Sequence, residues 1–275
     1  MQTLHQPLWQ LSQSHLNLLE ACPRKFQHRY LDRLESGTGL ENNPYQQLGA
    51  QFHQLMQQRA LGLDIAPLVA TDKRLQEWFQ AFVQLPPPMI AGVHQSEHQR
   101  LCWLHGYVLV AIYDLLIQNA DQAQILDWKT YALPRRVDHL RNNWQTRLYL
   151  YLLAETSEYD PQQLSMTYWF AAASTQPETT TNFVTFTYNQ NWHEQTRRDL
   201  TQLLSQLNEG LSGYEAGQAM PQVSFTDGQC VSPRHCCEFA ERCQRDLQAE
   251  ETLALQAALQ DIDAIAEVPL NLKHC

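Results

Sequence analysis

Two apolar runs on either side of a four-residue polar turn constrain this chain more than any other feature. Residues 107–117 and 123–130 are rich in β-branched and aromatic side chains, and Asn119, Ala120, Asp121 and Gln122 form the turn between them. Such runs read as neighbouring strands. Each carries an acid inside an otherwise apolar stretch: Asp114 in the first and Asp127 in the second, where Trp128 and Lys129 follow. Period-two alternation puts Asp127 and Lys129 on one face, two residues apart. The chain has only four lysines (25, 73, 129 and 273) against fifteen arginines, so a lysine in a semi-buried strand calls for a reason. An Asp-x-Lys triplet can also be a half-exposed ion pair at a strand end, which contributes little.

The rest of the chain surrounds this pair with helices. Residues 11–34 carry a helical pattern in two pieces, with Ser12 or Ser14 able to cap the first and Pro23 interrupting. Phe26, Tyr30 and Leu34 continue at helical spacing. A loop follows over 36–44. The next helix, 45–62, sets Leu48, Phe52, Leu55 and Met56 on one side and Gly49 one turn before His53. A third helix covers about 71–84. A strand over 99–105 precedes the apolar pair, and one long helix over 137–156 comes after it. Strands follow at 163–172 and 182–188, then a helix at 190–213, a cysteine-bearing loop and an acidic helix near 246–265. This order predicts an α/β (mixed α+β) class: a central mixed β-sheet flanked by helices, with helical additions at both ends. The expected organisation is one domain over 1–245 (a helical part to 95, a core over 96–190, a helix and cysteines over 190–245), then an acidic tail over 246–275.

The formal net charge of −10 argues against a surface that grips nucleic acid everywhere, but not against a local basic groove. Arg135, Arg136, Arg141 and Arg147 form one candidate phosphate-binding cluster. No apolar run reaches the length of a membrane span and the N-terminus lacks a signal-peptide layout, so no membrane partner and a cytoplasmic location are expected. Four of the seven cysteines (230, 236, 237 and 243) fall within fourteen residues, and Cys22 stands far away. In a cytoplasmic chain they read as metal ligands or core residues rather than disulfides.

Two carboxylates, a lysine and a histidine are the groups that metal-assisted phosphodiester cleavage uses. Asp114 and Asp127 are candidate ligands for a divalent cation that activates water and neutralises developing charge. Lys129 can hold the water or stabilise the pentavalent state. His53 would add an imidazole, tilting the preference from magnesium toward manganese. Each residue alone has an ordinary structural explanation. Gln145 and Tyr149 share a helix face at i, i+4, as active-site residues or as ordinary polar and core positions.

In combination these segments resemble the RecB-like branch of the PD-(D/E)XK nuclease superfamily, close to CRISPR-associated RecB-like exonucleases and AddB-type nuclease domains. The resemblance runs over about residues 10–245. It rests on the segment from Leu11 to Leu16, Cys22-Pro-Arg-Lys-Phe26, Gly49 to His53, Glu97, Tyr113-Asp114, Leu126-Asp-Trp-Lys-Thr130, Gln145 to Tyr149, and Cys237 to Cys243. It departs at Ala111, where the family commonly has glycine, and at Arg234, where a cysteine is expected.

The resemblance implies a restriction-endonuclease-like core and a Mg2+- or Mn2+-dependent deoxyribonuclease, an exonuclease or an enzyme that processes single strands or ends. Its metal ligands would be His53, Asp114 and Asp127, with Lys129, Gln145 and Tyr149 in the active site. It also implies a 4Fe-4S cluster on Cys22, Cys230, Cys237 and Cys243, with Cys236 as the alternative ligand. Zinc competes, because both metals accept four thiolates. DNA, as single strands or ends, is the implied partner. A helicase or other DNA-processing protein would be a further one, because the sequence holds no Gly-x4-Gly-Lys-Ser/Thr loop of its own. The competing readings are a non-catalytic nucleic-acid-binding or assembly module of the same fold, and a zinc-stapled structural protein.

Overall fold

A computed structural model describes residues 9–34, 44–134, 136–172, 181–224, 230–232 and 235–245. The acidic helix expected near 246–265 and the tail after it lie outside the described residues. The apolar runs form strands as their composition dictates. The main sheet contains β1 (Gln10–Leu11), β2 (Val93–Leu104), β3 (Tyr107–Gln118), β4 (Ala123–Ala132), β5 (Leu164–Ala172) and β6 (Phe183–Thr187). Strand β3 pairs antiparallel with β2 along its whole length. Its other edge is shared: β1 pairs parallel at Val108 and Leu109, and β4 pairs antiparallel from Leu115 to Gln118. Strands β4 and β5 run parallel, and β6 closes the row antiparallel to β5. This is the mixed sheet that the sequence predicts. A separate two-stranded ladder joins β7 (Val231–Ser232) to β8 (His235–Cys236).

Helices cover both faces of the sheet, and α3 (Pro44–Ala60) buries the side that its periodicity marks, with Phe52, Leu55 and Met56 inward. On one face lie α1 (Gln13–Ala21), α7 (Trp144–Glu155) and α8 (Gln190–Glu215). There Leu16, Leu19, Leu148, Leu152, Leu204 and Tyr168 share a core with Leu109 and Tyr113. Nine of the twelve residues of α7 are buried, so this helix is a central element rather than an amphipathic cover. The other face is covered by α3, α4 (Ala66–Val69) and α5 (Lys73–Gln84). Here Phe52, Trp78 and Phe82 pack around Trp169. Asp72 caps α5 by accepting from the backbone N–H groups of Arg74 and Leu75. No helix among the described residues is long and apolar enough to cross a membrane.

Three local features differ from expectation. Residues 137–156 form two helices, α6 (Asp138–Asn142) and α7, because Asn143 turns extended (ψ 142) and its side chain accepts from Gln145 N–H at 2.8 Å. Helix α2 (Pro23–Phe26) passes into a π-helical turn over Gln27–Leu31 instead of running on to Leu34. Strand β2 begins at Val93, six residues before the apolar pattern does, because pairing with residues 115–118 of β3 extends it. Such pairing outweighs intrinsic strand preference.

A buried acidic fork as the candidate functional site

The fork opens where β4 leaves β3. Their ladder ends at the Leu115–Leu126 pair, and β4 continues beside β5 alone. At the same point β3 changes sides: Tyr113 packs in the α7 core, whereas Leu115 and Ile117 pack in the α3 core. Strict alternation would keep all three on one face. Opposite the change, Glu97 of β2 has φ 50, a left-handed conformation that costs a non-glycine residue about 1–2 kcal/mol. Asp114 sits at this kink, and its Oδ2 accepts the backbone N–H of Trp128 at 2.7 Å. The carboxylate thus satisfies a strand N–H at the point where the ladder has opened.

Helix α3 supplies the next member. Gly49 lets it approach β4: a Cβ there would stand 3.3 Å from Thr130 Oγ1. One turn on, His53 Nδ1 lies 3.1 Å from Asp114 Oδ1. On β4, Asp127 and Lys129 share a face, with Lys129 Nζ 2.7 Å from Asp127 Oδ1. That contact is an ion pair outside hydrogen-bond geometry, so Asp127 Oδ1 is buried without a hydrogen-bond donor. Gln145, at the start of α7, bridges the two: its Nε2 donates to Asp127 Oδ2 at 2.6 Å, and its Oε1 accepts from Lys129 Nζ at 2.8 Å. The Tyr168 ring lies 5.2 Å from Lys129 Nζ. Tyr149, one turn along α7 from Gln145, is buried with its ring against Tyr113.

Burial sets the electrostatics. The Asp127 carboxyl is pushed up to about 6, by burial first and then by the charge of Asp114, with Lys129 opposing. Burial works to lower the Lys129 ammonium, but the charge of Asp127 and its contact outweigh it, and the net direction is up. His53 is likewise raised on balance: burial lowers it, while the bond to Asp114 and its charge raise it further. Glu97 is raised by burial and by the charge of Asp114.

The fork therefore gathers His53, Asp114, Asp127, Lys129 and Gln145, with Tyr149 beside them, but it does so as two closed pairings. His53 faces Asp114, whose second oxygen is held by the backbone. Asp127 faces Lys129 and Gln145. Among the described residues no group of three or more His, Cys, Asp or Glu side chains is arranged to hold a metal ion. This corrects the expected metal-dependent nuclease stapled by an iron–sulfur cluster. The residues present do not fit a Mg2+ or Mn2+ site on His53, Asp114 and Asp127, because their donor atoms face a backbone amide, a side-chain amide, an ammonium and each other.

The same finding corrects the 4Fe-4S expectation, and its zinc alternative, for the thiols of Cys22, Cys230, Cys237 and Cys243. Their chain segments do meet. The Cys243 thiol is pushed up by burial, opposed by Arg24, and raised further by the like charges of Cys237, Cys22 and Cys230. Its Sγ lies 3.7 Å from His28 Nε2, His28 Nδ1 lies 2.8 Å from Asp32 Oδ2, and Tyr214 donates to Asp32 Oδ1 at 2.8 Å. The side chain of Cys236 lies outside the described residues.

The arginines expected to contact phosphate are scattered. Arg147 is buried, paired with Asp199, and stacked 4.0 Å over the Trp144 ring. Arg141 stacks 4.2 Å over Trp192, and Arg136 is exposed, 3.7 Å from Asp138. Arg135 lies outside the described residues. Sequence reasoning missed Tyr168, which contacts Lys129, and it missed the His28–Asp32 pair. The i, i+4 spacing of His28 and Asp32 was a usable signal; Tyr168 gave none, because only the parallel register of β4 and β5 brings it opposite Asp127.

Residues 10–244 match the PD-(D/E)XK nuclease superfamily, and the chain belongs to it. Among solved structures, a candidate exonuclease from Eubacterium rectale is similar in fold at 12% identity and a TM-score of 0.51, over 83% of this chain and 91% of that one. A structure described as SSO0001 matches at 12% identity with a TM-score of 0.33, over 71% of this chain and 76% of that one, too distant to bear on the fold. No curated protein matches.

Proposed function

We propose that this member of the PD-(D/E)XK nuclease superfamily is a nucleic-acid-binding or assembly module that holds strands without hydrolysing them. The observation that carries this reading is the closed state of the fork. Lys129 is ion-paired to Asp127 and donates to Gln145, so its ammonium is directed inward rather than presented to a phosphate. Each carboxylate is likewise engaged, and a cation would have to displace those partners before it could activate water. The fold remains suited to strands: the fork lies at a sheet opening, and Arg136 and Arg141 stand on the segment between β4 and α7. In this proposal the chain is of the RecB-like branch, acts in the cytoplasm as one module over 1–245, and binds DNA as single strands or ends beside a separate DNA-processing protein.

The test is to incubate the full chain with a 5′-labelled single strand in the presence of Mn2+ or Mg2+. The expected result is a retarded, intact strand. Cleavage that depends on the metal and disappears in Lys129→Ala would overturn the proposal in favour of a deoxyribonuclease.

A further inference from the structure

One cavity of about 410 Å³ lies on the α3 side of the sheet. Its walls include Tyr45 at the start of α3, Arg74, Glu77 and Trp78 of α5, and Thr130 and Ala171 of the sheet. Thr130 follows Lys129 directly and is the side chain against which Gly49 packs, so this wall adjoins the helix that carries His53. The volume is in the range of small-ligand sites.

The chemistry of the walls is specific. Tyr45 exposes 68% of its surface, so its ring is open to a ligand from solvent. The Arg74 guanidinium lies 5.4 Å from the centre of that ring, which places a cation and an aromatic plane at one mouth. The floor is apolar, with Trp78 and Ala171 both buried. Glu77 adds an acceptor, held only loosely by Lys73 at 3.9 Å on an exposed surface. A flat aromatic platform, a guanidinium and a carboxylate together suit a base on its sugar-phosphate: ring on ring, phosphate to Arg74, and an exocyclic amine donating to Glu77. An apolar peptide side chain would use the floor but leave Glu77 and Arg74 without a role.

We infer that this cavity takes one base of a single DNA strand that passes the fork, with preference for an amino-bearing base such as cytosine over thymine. The inference rests on the proposed binding of strands and specifies where one nucleotide is read. Tyr45 and Arg74 hold the nucleotide, and Glu77 selects it.

The experiment measures fluorescence anisotropy of the full chain with labelled oligodeoxycytidylate and oligothymidylate at one fixed salt concentration. The wild type is expected to favour oligodeoxycytidylate several-fold. Losing the platform in Tyr45→Ala should weaken both about tenfold, because stacking on an aromatic contributes roughly 5–150-fold per base, whereas Tyr45→Phe should retain binding. Glu77→Ala, which removes the acceptor, should erase the preference and leave thymidylate binding unchanged. Strand binding by the wild type that persists equally in Tyr45→Ala and Arg74→Ala overturns this inference alone. A wild type that binds neither oligonucleotide overturns both this inference and the proposed function.

Discussion

The acidic fork and the thiol corner each gather side chains from distant parts of the chain, and in each burial opposes ionisation of an acid, Asp127 in one and Cys243 in the other, yet they are built on opposite logic. In the fork, opposite charges and complementary donors meet: Lys129 with Asp127, Gln145 between them, His53 with Asp114. At the thiol corner, like groups meet, and the charges of Cys237, Cys22 and Cys230 oppose ionisation of Cys243. The fork is a closed ionic structure whose members depend on one another. The thiol corner is held mainly by its surroundings, namely the Cys237 N–H to Cys230 O bond, the His28 ring against Phe239, and the His28–Asp32–Tyr214 chain. Removing one partner should therefore be costly in the first region and mild in the second.

The largest effect is expected from Asp127→Ala. It leaves the Lys129 ammonium, only 17% exposed, without a counter-ion, and should cost about 3 kcal/mol or more in urea unfolding. A loss below 1 kcal/mol would mean that the pair is not a unit.

Lys129→Ala comes next, at about 2 kcal/mol near pH 8 and less near pH 5. The sign follows from Asp127. Its folded value, about 6, lies above its unfolded value of 3.8, so the folded state holds the proton longer and this group lowers stability as pH rises through that window. Lys129 opposes the upward shift, so removing it moves the window higher and deepens the loss. Equal losses at both pH values would contradict this.

Asp32→Asn should cost less, about 0.5–1 kcal/mol at neutral pH after allowance for solvent screening. Burial pushes the Asp32 carboxyl up, but bonds from His28, Tyr214 and Gln27 outweigh it, and the net direction is down. A depressed carboxylate stabilises above its unfolded value and loses that contribution as pH falls through the folded one. The variant should converge with wild type only in strong acid.

Cys243→Ser should be smallest, within about 1 kcal/mol, and prolonged chelator treatment should leave the melting temperature of the wild type unchanged. A fall of many degrees on chelation would restore a structural metal and erase the contrast between the regions.

The legible part of this molecule is the part written in local patterns. Apolar runs announced β3, β4 and β5, and the face of α3 followed from spacing. The same-face placement of Asp127 and Lys129 followed from alternation alone. What stayed hidden depended on tertiary pairing. The face change at Asp114 requires the left-handed Glu97 across the ladder, and nothing in the local sequence of either strand encodes it. The break at Asn143 follows from capping, which a helical pattern running through it obscured. Expecting ligands from residue type alone misled in both regions, because carboxylates and thiols that converge can satisfy one another or simply crowd.

The central claim is that the fork is closed by its own partners. Manganese binding followed by electron paramagnetic resonance, on wild type and on Asp114→Asn, tests it most directly. The account predicts only weak binding, equal in the two proteins. One tight manganese site in the wild type that vanishes in Asp114→Asn would contradict it.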